Sequence, residues 1–203
     1  MRAASWQALA SCSLLLLAEA AMPSPASARR TQAQLTATFK DRADDSAPHA
    51  SPGPACTIAF TRISDERRSP EMAGVIGQRG VLAPVDVDMW LRAVLGGLTP
   101  RGIRPVFGSD AAAEATAPTA TFALQTAWIS STDVTYTGAV AIHLTAQGAG
   151  ETVIDKIYRG RATRTAYWSG GVDTLQSAMD GAFADALDAM AIDLGKACDG
   201  PAR

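Results

Sequence analysis

The hydrophobic and polar positions divide the chain into an apolar leader, a polar tract and one long patterned region. Residues 134–146 alternate cleanly, with Tyr136, Val140, Ile142 and Leu144 pointing one way and Thr135, Thr137, His143 and Thr145 the other. A period of two predicts a strand. Residues 119–130 read the same way, with Phe122, Leu124 and Trp128 on one face. Residues 152–168 predict a last, longer strand that breaks phase at Gly160, where a bulge or bend is expected. The turns at 130–133 and 147–150 are short enough to join these strands as an antiparallel meander. Upstream, residues 57–62 and 103–107 predict two further strands. Residues 63–84 carry Pro70, Gly74, Gly77, Gly80 and Pro84 and read as a long irregular loop; 108–118 reads as an Ala-rich one.

Helical spacing marks two other segments. Asp86 or Asp88 caps a helix whose apolar face is Trp90, Leu91, Val94, Leu95 and Leu98, and Pro100 and Gly102 end it. The last helix, residues 172–197, repeats Leu175, Met179, Phe183, Ala186, Leu187, Met190, Leu194 and Cys198 at mostly three or four residue steps. Asp180, Asp185, Asp188 and Asp193 fall mostly on its other faces and read as solvated charge. The order β-α-β-β-β-β-α predicts one α+β domain over 56–199, a mainly antiparallel sheet with two helices packed on one face, followed by a tail at 200–203.

The leader has the layout of a secretory signal peptide: Arg2, an apolar stretch from Leu9 to Ala18, then Ala18-Glu19-Ala20. Its expected end is residue 20, with 28 as the alternative. The apolar stretch is shorter than the roughly 20 residues that span a bilayer, so no transmembrane segment is expected. Leu9-Ala10-Ser11-Cys12 has the residue types of a lipid-attachment site, but the four leucines follow Cys12 instead of preceding it. That placement argues against a lipid anchor and for a soluble periplasmic protein. Residues 21–55 hold only Met22, Leu35 and Phe39 as large apolar side chains and read as a flexible tether, His49 included. Without the leader, Cys56 and Cys198 are an even pair in an oxidising compartment, and a disulfide between them is expected.

Composition narrows the function by exclusion. The 203 residues carry 18 basic and 20 acidic side chains, a net charge of -2, which offers no general attraction for nucleic acid. With two histidines in all, a multi-histidine metal site or a histidine triad has few residues to draw on. His143 alone lies in the domain, on the polar face of its strand. Neither His-Glu-x-x-His nor Gly-x-Ser-x-Gly occurs. No enzyme activity, cofactor or metal is expected.

Two groups stand out as candidate partner-binding residues. Asp65, Arg67 and Arg68 lie in the loop after the first strand, where self-neutralising surface charge is the plainer reading. Tyr158, Arg159, Arg161, Arg164 and Trp168, with Lys156 and Tyr167, make a basic and aromatic strip on the last strand. The strip reads either as a docking edge or polar-lipid contact, or as an edge guarded by charge against aggregation. Trp90, Trp128 and Tyr136 read as core, or else as an apolar ligand groove.

Several strings resemble the YajG-like envelope lipoproteins and the auxiliary lipoproteins of ABC-type transport systems. They are Cys56-Thr57-Ile58-Ala59-Phe60 as a first strand after a cysteine, Asp65 to Arg68, Ile76-Gly77, Trp90-Leu91 with Leu95 and Leu98 before Arg101-Gly102, and Tyr158-Arg159-Gly160 before the last helix. The resemblance implies a small periplasmic α+β domain without catalytic residues, acting as an accessory or adaptor that binds an envelope protein, with a transport component as one such partner. The alternative it leaves open is a carrier or sensor of a lipid or other apolar ligand held between helices and sheet.

Overall fold

The computed structural model describes residues 32–41, 56–108, 117–148, 151–166 and 171–198. The expected signal peptide with both cleavage positions, Cys12, His49, Tyr167, Trp168 and the tail lie outside them. Eight strands and two α-helices follow in order: β1 (Ala33–Gln34), β2 (Cys56–Asp65), β3 (Met72–Ile76), β4 (Arg79–Leu82), α1 (Val87–Gly96), β5 (Ile103–Phe107), β6 (Thr119–Thr132), β7 (Thr135–Gly148), β8 (Glu151–Thr165) and α2 (Val172–Cys198). A 3-10 turn, Thr99–Arg101, links α1 to β5.

The strands form one α+β sheet, mostly antiparallel, with both helices on the same face. β6, β7 and β8 are the expected meander, paired along nearly their whole length. The other edge of β6 is shared: 119–124 pair in parallel with β2, and 129–130 pair in parallel with β3. β2 continues to β5, while β3 turns antiparallel into β4, whose far edge takes β1 in parallel.

Sequence patterning places the core. Asp86 caps α1 by accepting the Met89 N–H at 2.8 Å, as a free first-turn donor requires. Trp90, Leu91, Val94, Leu95 and Leu98 are all buried, and Trp90 meets Phe183 of α2 edge to face at 5.2 Å. Phe122, Leu124, Val140, Ile142 and Leu144 are buried on the same side of the sheet, within the one core cluster that takes in both helices. Burying a side chain of this size stabilises by about 2 kcal/mol. Cys56 and Cys198 are joined by a disulfide across 142 residues, with 6.0 Å between their Cα atoms. In the loop-entropy description such a closure contributes about 4 to 5 kcal/mol.

Four expectations need correction. Residues 63–84 are not an irregular loop: β2 runs on to Asp65, and β3 and β4 make a hairpin. Gly77, read as a loop marker, supplies the left-handed φ of +56° in its two-residue turn. The phase break lies not at Gly160 but further back, where β8 shifts register opposite Ala146 and Gln147. Gly160 instead lets α2 approach, since a Cβ there would overlap the Ala182 carbonyl. Trp128 is not in phase with Leu124. Gln125 is one residue too many opposite the step from Ile142 to Ala141, so Ala127 and Ile129 turn inward and Trp128 turns out, 40% exposed.

The fourth concerns the tether. Residues 32–41, inside the stretch read as flexible, form a strap on the domain. Leu35 is buried in the core and its N–H bonds the Leu82 carbonyl at 3.0 Å. Gln176 of α2 accepts the Thr36 N–H at 3.0 Å and donates to the Thr38 carbonyl at 3.1 Å. Asp180 accepts from Gln176 at 2.9 Å and from the Lys40 N–H at 3.3 Å.

Candidate functional site

The acidic residues of α2, expected as solvated charge, fasten neighbouring elements. Asp180 is buried; desolvation pushes its carboxyl up to about 6, against the hydrogen bonds from Gln176 and Lys40. Asp188 and Asp41 both bind Arg101. Asp193 accepts from Lys156 at 2.8 Å, the Tyr158 hydroxyl at 2.9 Å and Lys196 at 3.1 Å. The Lys156 and Tyr158 bonds hold its carboxyl down at about 2, while burial and this carboxylate push the Tyr158 phenol up. The depression of about 400 Å³ bounded by Val153, Ile154, Asp155, Lys156, Asp193 and Lys196 therefore has both its ammonium groups already paired.

The structure divides the candidate partner-binding residues sharply. Asp65 and Arg67 form a bidentate pair at 2.8 and 2.7 Å. Arg67 also donates to the carbonyls of Pro70 and Met72 and lies 5.7 Å over Trp90. At 8% exposure it holds the loop together. Tyr158 is likewise buried, on the helix side of the sheet. Arg164 is half-buried, donating to Ser177 of α2 at 2.9 Å. Arg68, Arg159 and Arg161 differ: among the described residues, no hydrogen bond or ion pair engages their side chains. Trp168 lies outside the described residues. His143, expected on the polar face of its strand, stands there and pairs with Asp155 at 2.6 Å.

The open arginines belong to the free side of β8. Among the described residues β8 pairs with β7 alone. Its solvent-facing side chains run Val153, Asp155, Ile157, Arg159 and Arg161, with Val153 51% and Ile157 38% exposed. Opposite Arg159 and Arg161 on β7 stand Ala141 and Ala139, whose methyls leave a shallow floor. In an antiparallel ladder the main-chain groups of alternate residues face the same way. The Arg161 N–H faces away from β7 and bonds Asp185 of α2 at 2.9 Å, so Ile157, Arg159 and Thr163 also turn their main-chain groups outward. Val153 and Ile157 were not among the sequence candidates, although they share the alternation phase of Arg159 and Arg161.

A second recess adjoins the bulge in β6. Arg68, Ser69, Met72, Gln125, Thr126 and Trp128 line a cleft of about 260 Å³. The space between helices and sheet, in contrast, is filled by Trp90, Met179, Phe183, Leu187 and Met190, all buried. Among the described residues no group of three potential metal ligands occurs, and no helix is long and apolar enough to cross a membrane.

No protein-family model matches the sequence, and no curated protein matches it significantly. The fold is similar to a DUF330 protein from Xanthomonas campestris, with a TM-score of 0.48 and 9% identity over 81% of this chain and 95% of that one. It is also similar to a lipoprotein from Neisseria meningitidis, with a TM-score of 0.33 and 12% identity over 61% and 94% of the two chains. A third is PelC from Paraburkholderia phytofirmans, a dodecamer, with a TM-score of 0.36 and 11% identity over 67% and 89%. At these identities and scores the likeness assigns this chain neither family nor function.

Proposed function

We propose that this chain is an exported, non-catalytic accessory or adaptor protein of the cell envelope that binds a partner protein through the free side of β8. One observation carries the reading: on an edge strand, exposed Val153 and Ile157 continue directly into Arg159 and Arg161, whose guanidinium groups nothing in the described fold engages. The buried centre of an interface is more apolar than its rim, and arginine is enriched there. The signal-peptide layout of residues 1–20 supports the compartment. Asp185 already occupies the Arg161 N–H, so the partner docks on the face and lower edge of β8 and need not add a full strand. The filled space between helices and sheet favours this reading over an apolar-ligand carrier.

The test is site-specific photocrosslinking of the full chain in its native cells. A crosslinker at Ile157 should trap one discrete protein in the envelope fraction, and Arg159→Glu with Arg161→Glu should abolish that product. The same crosslinker at Met89, exposed on α1, should trap nothing comparable. Equal products from both positions, or recovery of the chain in the cytoplasm, would overturn the proposal.

A further inference from the structure

The geometry points to the cleft beside Trp128 as a binding site for a small acid that carries a flat ring, its carboxylate or phosphate on Arg68 and its ring on the indole. Arg159 and Arg161 of the partner surface lie one strand beyond β7 in the same cross-strand rows and are not among the residues that line this cleft.

The first observation is the bulge. Gln125 has no opposite residue on β7, since Leu124 pairs with Ile142 and Thr126 with Ala141. The extra residue puts Gln125 and Thr126 side by side at the cleft and turns Trp128 out of the core. Bulges of this kind re-aim side chains, and they recur next to functional sites. The residue directly opposite Trp128 is Ala139, whose single methyl covers little of the indole.

The second observation is a convergence of unused hydrogen-bonding groups. Arg68, Ser69, Gln125 and Thr126 all border the cleft, and none of their side chains has a hydrogen-bond partner among the described residues. Among the described residues no carboxylate lines the cleft. The Arg67 charge is matched by Asp65, which leaves Arg68 as the uncompensated charge there among the described residues. An anion is the ligand this polarity selects, and a planar guanidinium receives a carboxylate or phosphate through two parallel bonds. The amide and hydroxyls of Gln125, Ser69 and Thr126 supply further donors.

The third is rigidity. Arg67 is tied to Asp65, Pro70 and Met72 and stacked on Trp90, so the loop that presents Arg68 and Ser69 is fixed before any ligand arrives. Preorganisation of that kind reduces the entropy lost on binding. Size sets the class. At about 260 Å³ the cleft lies below the range of about 300 to 1,000 Å³ typical of drug-sized ligands, so it suits one ring and one anionic group and not an acyl chain.

Calorimetry and ligand-detected NMR on the full chain test this with phenyl phosphate and benzoate as probes. At least one probe should bind one to one with a dissociation constant near or below about 1 mM. Inorganic phosphate, which lacks the ring, and benzyl alcohol, which lacks the charge, should each bind about tenfold more weakly or worse. Trp128→Ala and Arg68→Gln should each weaken binding about tenfold while leaving the circular dichroism unchanged, with Gln125→Ala as a milder second variant. Arg159→Ala with Arg161→Ala should bind the probes as before, which keeps this outcome separate from the fate of the partner surface. Binding that persists in both Trp128→Ala and Arg68→Gln, equal binding of inorganic phosphate, or no binding of either probe at about 10 mM would overturn the site.

Discussion

Around the strap, Gln176 serves two strap residues, Asp180 a third, and Arg101 is held by two carboxylates at once. On the free side of β8, Arg159 and Arg161 stand among exposed apolar side chains with no partner in the described fold. Both regions are polar and both border α2. They differ in whether the chain itself supplies the complement. Where it does, the polar groups hold an unpromising segment in place; where it does not, the complement must come from outside. The adjacent pair Arg67 and Arg68 repeats the lesson at one-residue spacing, one buried over Trp90 and the other open to a cleft.

The comparison can be broken most forcefully from the engaged side. Replacing Leu35 by Ala in the strap should cost about 3 kcal/mol in denaturant unfolding, because its side chain is buried in the core. A tether, by contrast, would lose nothing. Arg67→Ala should cost a similar amount, about 3 kcal/mol, since it leaves Asp65 and two carbonyls without their donor. Arg68→Ala next to it should change stability by less than about 0.5 kcal/mol. Equal costs for the two arginines would erase the distinction drawn here.

Proton linkage sharpens the strap further. The Asp180 carboxyl is raised from 3.8 to about 6 in the fold, so the folded state binds its proton more readily than the unfolded chain does. The resulting stabilisation is fully present below about pH 4 and is lost as pH rises through about 6, a change on the order of 3 kcal/mol. Asp193 has the opposite sign in a separate window: held at about 2, it contributes above about pH 4 and loses that contribution only as pH falls toward 2. Urea titrations from pH 4.5 to 8 should therefore show stability declining through pH 6, and Asp180→Asn should flatten the decline. Gln176 and Lys40 donate to separate oxygens of Asp180, and Asn puts an NH2 donor in place of one of them, so that variant should also be less stable throughout. The smallest effect belongs to the open side: Arg159→Ala should leave unfolding unchanged within about 0.5 kcal/mol.

What could be read from the sequence follows the same division. The helices and the meander were legible because their apolar spacing is regular and Asp86 is a plain cap. The β3–β4 hairpin was not, because its strands are four and five residues long and carry glycines that look like loop markers. The strap was hidden by its composition, although Leu35 and Phe39 were two of the three large apolar residues in the polar tract. Asp180 was misplaced because α2 is buried on most sides of its middle, where Ala178, Ala182, Ala184 and Ala186 allow close packing all round. Arg159 and Arg161 could be placed on the solvent side from alternation alone. Nothing in the run Asp65-Glu66-Arg67-Arg68 distinguishes the arginine that folds inward from the one that does not.

The bulge at Gln125 bears on descent as well as on shape. Take that residue out, and Phe122, Leu124, Ala127 and Ile129 fall into uninterrupted alternation, with every remaining partner on β7 unchanged. The β6–β7 ladder gains no pair from keeping it. Deleting its codon would restore that alternation and leave the β7 ladder intact while removing the step that turns Trp128 outward, so persistence of the bulge in a lineage would record use of the cleft.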